Sequence, residues 1–130
     1  MIAMDAGTTL HVPDPGASYD SHLWIIISDP NQDPQKILIV SMTSWQPHKD
    51  QACILDVGDH AYVRHKSCIN YREAKLVTLA QLNQLKDSGK IKTLDPLSPA
   101  LLARIRAAVA SSLMKLDFAE LLESQGLVEI

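Results

Sequence analysis

The sequence predicts an α+β domain in which short strands precede helices. Between residues 22 and 79, five or six apolar, β-branched segments recur at intervals of roughly 8–12 residues, which is typical of a small barrel or sandwich. Beyond residue 79 the apolar residues recur every three or four positions, as in helices. Because strands and helices do not alternate, we expect a small β-barrel of five to six antiparallel strands with a C-terminal helical segment.

The chain length is typical of one domain. A chain of 130 residues can bury about two-thirds of its unfolded surface around a single core. We therefore expect a single domain over residues 1–130. Within it we expect an irregular N-terminal arm (1–18), the barrel strands (19–79) and a helical tail (80–130). The composition, 46% hydrophobic and 21% charged, excludes wholesale disorder.

The strand predictions rest on apolar runs bounded by turn residues. The arm contains Pro13, Pro15 and Gly16, which disfavour regular structure. Residues 22–28 and 37–43 are apolar at both odd and even positions, so we expect them to be buried on both faces. The remaining predicted strands are shorter and cover residues 52–57, 60–63, 67–71 and 74–79.

The helix predictions rest on capping residues. The helix that begins near Leu79 is expected to stop at Gly89. Ser98 and Pro99 are typical of an N-cap followed by the first helical residue, and the apolar stripe after them continues to Leu113. Asp117 is expected to cap a short last helix.

The net charge of −3 conceals a basic centre between two acidic ends. Residues 1–34 carry five acids and no Lys or Arg, and residues 117–130 carry four acids. All twelve Lys and Arg residues lie in 35–116 beside six acids, which gives that region +6. This distribution is compatible with a polyanionic partner, although charges segregated on solvated faces would give the same pattern.

The sequence also limits the location and the cofactors. It has no run long enough to span a bilayer and no signal-peptide pattern, so we expect a soluble cytoplasmic protein without membrane contact. Cys53 and Cys68 lie in apolar contexts typical of buried thiols. Neither cysteine nor histidine spacing matches a metal site, so no metal and no cofactor are expected.

Three stretches of the chain resemble the PemK/MazF family of toxin ribonucleases. They are residues 21–28 (SHLWIIIS), residues 37–44 (ILIVSMTS) and the strand and helix pattern of residues 67–113. The resemblance covers roughly residues 16–115 and implies an SH3-like barrel. It also implies a metal-independent endoribonuclease that cleaves single-stranded RNA, forms a homodimer and is neutralised by an antitoxin protein. His22-Leu23 stands where the family has Arg-Pro.

The resemblance and the residue chemistry together nominate three catalytic residues. His22 can accept or donate a proton near neutral pH, as RNA cleavage requires. Thr43 and Ser44, at the end of the neighbouring strand, can donate hydrogen bonds to a phosphate oxygen. The alternatives are a rim histidine that binds a turn carbonyl, and ordinary turn hydroxyls.

The basic segment between residues 59 and 75 is the predicted RNA-binding surface. Between positions 64 and 75 it has four Lys or Arg residues against one acid. Basic side chains bind phosphates and tyrosines stack on bases. If residues 60–66 are extended, the basic side chains share one face. The nominated residues are His60, Arg64, His65, Lys66 and Tyr71.

Other interpretations of these features stay open. The basic segment can be a solvated loop. Trp45 can cap the core, cover a groove or lie in a dimer interface. The second function that we consider is a catalytically inactive SH3-like barrel that binds a protein partner or single-stranded nucleic acid.

Overall fold

A computed structural model describes residues 4–12 and 22–129, and it confirms the α+β class. The described strands are β1 (Thr9–Val12), β2 (His22–Ile26), β3 (Ile37–Ser44), β4 (Ile54–Leu55), β5 (Ser67–Val77) and β6 (Lys92–Leu94). The α-helices are α1 (Leu79–Asp87), α2 (Pro99–Ala107) and α3 (Leu116–Ser124). A short 3₁₀ helix, Ala108–Ser111, follows α2.

The six strands form one antiparallel sheet in the order β4-β5-β3-β2-β1-β6. The predicted number and direction of the strands are confirmed. Within the described residues β4 and β6 are edge strands and do not pair with each other, so the sheet is open rather than closed into a barrel. The centre of the sheet is β3, which pairs with both β2 and β5.

Helices cover both faces of the sheet, which explains why β3 is apolar at four successive positions, 37–40. Leu38 and Val40 belong to a large core cluster with residues of α2 and α3. Ile37 and Ile39 point to the opposite face and join a smaller cluster with Leu82 of α1. The side chains of a strand alternate between the two faces, so a strand covered on both faces must be apolar at successive positions.

The structure corrects several predicted strands. Part of the expected irregular arm, Thr9–Val12, is strand β1, which pairs with both β2 and β6. Residues 13–18 of that arm lie outside the described residues. The two strands expected at 67–71 and 74–79 are the single strand β5, and residues 60–63 form turns instead of a strand. Strand β6 was not predicted, because its three residues are not buried.

The helix starts are mostly as predicted. Ser98 accepts a hydrogen bond from the Leu101 amide, and Pro99 is the first residue of α2. Helix α2 ends at Ala107 and is followed directly by the 3₁₀ helix. It is therefore shorter than we predicted from the apolar stripe, which continues to Leu113. Asp117 is not the N-cap of α3, because the helix begins at Leu116 and Asp117 lies in its first turn.

Helix α3 provides a direct test of the larger core cluster. Leu122 is completely buried, whereas Leu116 on the same helix is 67% exposed. We expect Leu122→Ala to lower the free energy of unfolding by about 2–5 kcal/mol, because it removes buried methyl groups and leaves a cavity. Leu116→Ala should change it by less than about 0.5 kcal/mol. Urea unfolding of both variants measures the difference, and equal effects would contradict the packing of α3.

Candidate functional site

The pairing of β3 with β5 brings together two polar loops that are distant in the sequence. Ser44, the last residue of β3, pairs with Ser67, the first residue of β5. The Trp45 amide then donates a 3.0 Å hydrogen bond to the Lys66 carbonyl oxygen. The loop that leaves β3 therefore lies beside the loop that enters β5. Their side chains form a polar cluster, here called the β3–β5 site, whose members are Thr43, Ser44, Lys49 and His65.

The shortest polar contact of the β3–β5 site joins a serine and a histidine. Ser44 Oγ and His65 Nε2 are hydrogen-bonded at 2.6 Å, although the residues are 21 positions apart. Both side chains are exposed. A hydroxyl paired with an imidazole is a combination that can move a proton to or from a bound substrate. The structure thus places His65 beside Ser44, one of the residues predicted to be catalytic, and not in a separate surface.

Lys49 places a positive charge beside the same hydroxyls. Its Nζ donates to Thr43 Oγ1 at 3.0 Å and to the Ser44 carbonyl oxygen at 2.9 Å. An ammonium group at this position can stabilise negative charge on a bound phosphate. Lys49 was not predicted as a site residue, and its position five residues after Ser44 in a polar loop is the only signal for it in the sequence.

Asp50 anchors the loop that carries Lys49. Its two carboxylate oxygens accept hydrogen bonds from the Ala52 amide at 2.9 Å and from the Leu113 amide at 3.0 Å. The second bond ties the loop to the segment that follows the 3₁₀ helix. Lys49 is therefore carried by a loop that is attached at both of these points.

Trp45 is the first residue of the loop after β3, and its side chain contacts Gln51 and Lys66. Its indole Nε1 donates to Gln51 Oε1 at 3.0 Å, and the Lys66 ammonium lies 4.1 Å from the ring centroid. A cation over the face of an indole is a stabilising arrangement. Trp45 is half-buried, and Lys66 is exposed above it.

A cleft of about 270 Å³ opens beside Thr43. Its walls come from the loop after β3, from β5 and from the segment after the 3₁₀ helix. The residues that line it are Thr43, His48, Lys49, Asp50, Cys68, Asn70, Arg72, Glu73 and Leu113. The cleft adjoins the β3–β5 site, because Thr43 and Lys49 belong to both.

Two nominated RNA-binding residues lie elsewhere. Tyr71 is completely buried, and its hydroxyl donates to the Ile105 carbonyl oxygen at 2.7 Å, so its ring cannot stack on a base. Burial raises the pKa of Tyr71 well above its usual value. His60 Nε2 is 2.7 Å from the Asp95 carbonyl oxygen, in a separate cleft near β6. Because residues 60–66 are not extended, the expected shared face of basic side chains is not formed.

His22 is placed only through its backbone. It begins β2 and pairs with Val12 of β1, while the next residue, Leu23, pairs with Met42 of β3. Continuing the β2–β3 register by one residue sets the backbone of His22 opposite Thr43. The side chain of His22 lies outside the described part of the structure, and its catalytic role stays a prediction.

Comparison with known proteins leaves the family open, since neither a protein-family model nor a curated protein matches the chain. Within residues 4–12 and 22–129, no three His, Cys, Asp or Glu side chains are grouped to hold a metal ion. In the same part of the chain, every helix is too short or too polar to cross a membrane.

The cysteines are expected to be unreactive in the folded protein. Burial raises the pKa of both the Cys53 and the Cys68 thiol, although Lys49 near Cys68 and Arg104 near Cys53 act in the opposite direction. A neutral, buried thiol reacts slowly with disulfide reagents. We expect both thiols to react with Ellman's reagent at least about 100-fold more slowly in the native protein than in guanidinium. A thiol that reacts at the unfolded rate in the native protein would contradict this burial.

Proposed function

We propose that the protein is a metal-independent endoribonuclease that cleaves single-stranded RNA at the β3–β5 site. The observation that carries this proposal is the 2.6 Å hydrogen bond between Ser44 Oγ and His65 Nε2. Next to it, the Lys49 ammonium donates a hydrogen bond to Thr43 Oγ1. A proton-transfer group, hydroxyl donors and a cation are the parts that RNA cleavage requires. They are contributed by the end of β3, by the loop that follows it and by the loop that enters β5.

The reaction balances with the groups present. The 2′-oxygen of the substrate loses its proton and attacks phosphorus, the bond from phosphorus to the 5′-oxygen breaks, and the departing 5′-oxygen takes up a proton. One of the two imidazoles, His65 or His22, accepts the proton from the 2′-oxygen, and the other donates the proton that the 5′-oxygen takes up. Lys49, Thr43 and Ser44 donate hydrogen bonds to the phosphate oxygens. The products are a 2′,3′-cyclic phosphate and a 5′-hydroxyl.

Exposed cations near the β3–β5 site support RNA as the substrate. Arg64, Lys66 and Arg72 are exposed, and none of them forms an ion pair with another described residue. The one ion pair within the described residues joins Arg104 to Asp59. Cations around a catalytic cluster that have no carboxylate partner can contact successive phosphates of a single strand.

The order of the elements supports the resemblance to the PemK/MazF family. Strand β5 is followed by α1, the turn at Gly89 and then α2 after Ser98, in the order of the resembling region, with the additional strand β6 between Gly89 and α2. The proposal therefore includes an open form of the SH3-like barrel. It also includes a cytoplasmic toxin that acts as a homodimer and is neutralised by an antitoxin protein.

RNA cleavage in EDTA tests the proposed activity directly. We expect the purified protein to cleave mixed-sequence RNA without a metal. His65→Ala should lower the rate by about 10²–10⁴, because it removes a positioned proton-transfer group. His22→Ala should cause a loss in the same range if His22 is the second such group. Rates are measured from labelled RNA under single-turnover conditions.

The matched control for these histidines is His11→Ala. His11 lies on β1 and contacts the Tyr62 ring at 6.1 Å between centroids, so its loss should leave cleavage within a few-fold of the wild type. Absence of cleavage by the wild type would contradict the proposed activity. Equal rates for His65→Ala and the wild type would remove His65 from the mechanism.

The exposed cations Arg64, Lys66 and Arg72 also favour a second candidate function, which is RNA binding without catalysis. In this case Arg64→Ala should weaken binding to single-stranded RNA. It should also reduce the slope of the logarithm of the binding constant against the logarithm of the salt concentration by about the amount expected for one phosphate contact. Arg104→Ala is the control, because Arg104 is paired with Asp59. Binding is measured by fluorescence anisotropy at several salt concentrations. Binding that does not depend on salt would exclude a phosphate-contacting surface.

A further inference from the structure

The cleft beside Thr43 contains side chains that the proposed cleavage step does not use. Asn70, Arg72 and Glu73 come from β5, and Leu113 comes from the segment after the 3₁₀ helix. The cleft shares Thr43 and Lys49 with the β3–β5 site. A group held in the cleft would therefore lie next to a phosphate held at that site.

An irregularity in β5 shapes this wall of the cleft. Between the registered pairs Ile39 with Lys75 and Ser41 with Asn70, β5 advances five residues while β3 advances two. The bulged segment contains Arg72 and Glu73, which are both exposed. Bulges of this kind re-aim side chains and are common beside functional sites.

Some polar groups that line the cleft have hydrogen-bond partners within the protein, and the side chain of Asn70 has none among the described residues. Both carboxylate oxygens of Asp50 accept hydrogen bonds from backbone amides, and the Lys49 ammonium donates hydrogen bonds to Thr43 and Ser44. Asn70 is half-buried, yet its side-chain amide makes no hydrogen bond to any other residue that the structure describes. The amide nitrogen and oxygen of Asn70 therefore line the cleft without a hydrogen-bond partner among the described residues.

Leu113 gives the cleft an apolar wall. Its side chain is 52% exposed, and its backbone amide is fixed by the hydrogen bond to Asp50. An exposed leucine and an amide that line the same cleft offer an apolar contact and a hydrogen-bonding group to one ligand. Nucleobases have this combination of an apolar face and a polar edge.

We infer that the cleft is a subsite for one base of the RNA, with Leu113 packed on the face of the base and Asn70 bonded to its edge. The inference rests on the proposed function. The cleft is smaller than the roughly 300–1,000 Å³ sites of drug-sized ligands, which suits a single base. An asparagine amide can bond to both N6 and N7 of adenine, so adenine is the base that we assign to this site.

Mapping of the cleavage positions tests the subsite. The wild type should favour adenine at one position next to the cleaved bond. Asn70→Ala and Leu113→Ala should each reduce that preference by about 5-fold or more while cleavage continues, because the phosphate-binding groups are unchanged. The control is Leu116→Ala, an exposed leucine that does not line the cleft. Thermal unfolding of each variant confirms that it is folded.

Binding of uncleavable oligonucleotides separates the subsite from the activity. Five-residue single-stranded DNAs of A, C or T lack the 2′-hydroxyl and cannot be cleaved by this reaction. Preferential binding of the A oligomer that is lost in Asn70→Ala supports the subsite even if the wild type cleaves no RNA, an outcome in which only the proposed activity fails. Cleavage with a base preference that is unchanged in both cleft variants would overturn the subsite and leave the activity in place.

Discussion

The antiparallel pairing of β3 with β5 is the constraint on which the rest of the structure depends. The register that joins Ser44 to Ser67 fixes which residue of the entering loop meets which residue of the leaving loop. The contact between Ser44 and His65 and the cation over Trp45 both follow from it. A shift of one residue would turn every side chain of the shifted strand to the opposite face and separate these groups.

Burial on both faces holds that register in place. Leu38 and Val40 pack under α2 and α3, while Ile37 and Ile39 pack under α1. Tyr71 of β5 adds a hydrogen bond to the backbone of α2. A shift of β3 against β5 in either direction would bury polar side chains of β5 or expose apolar side chains of β3. The core therefore specifies the position of the β3–β5 site at the end of these two strands.

The sequence predicts the features that depend on local patterns. The doubly buried strand at 37–43 follows from its apolar residues at both parities, and the start of α2 follows from Ser98 and Pro99. The contact between Ser44 and His65 could not be predicted, because it depends on a register between segments 21 residues apart. Tyr71 was misassigned for a related reason, since a basic segment gives no sign of which face of a bulged strand is buried.

A double-mutant cycle on Ser44 and His65 tests most directly whether this register assembles one catalytic unit. The cleavage rates of Ser44→Ala, His65→Ala and the double variant are compared with that of the wild type. If the two side chains act as a unit, the double variant should be about as slow as the slower single variant. Rate losses that multiply in the double variant would show that the two groups act independently, and would contradict the account.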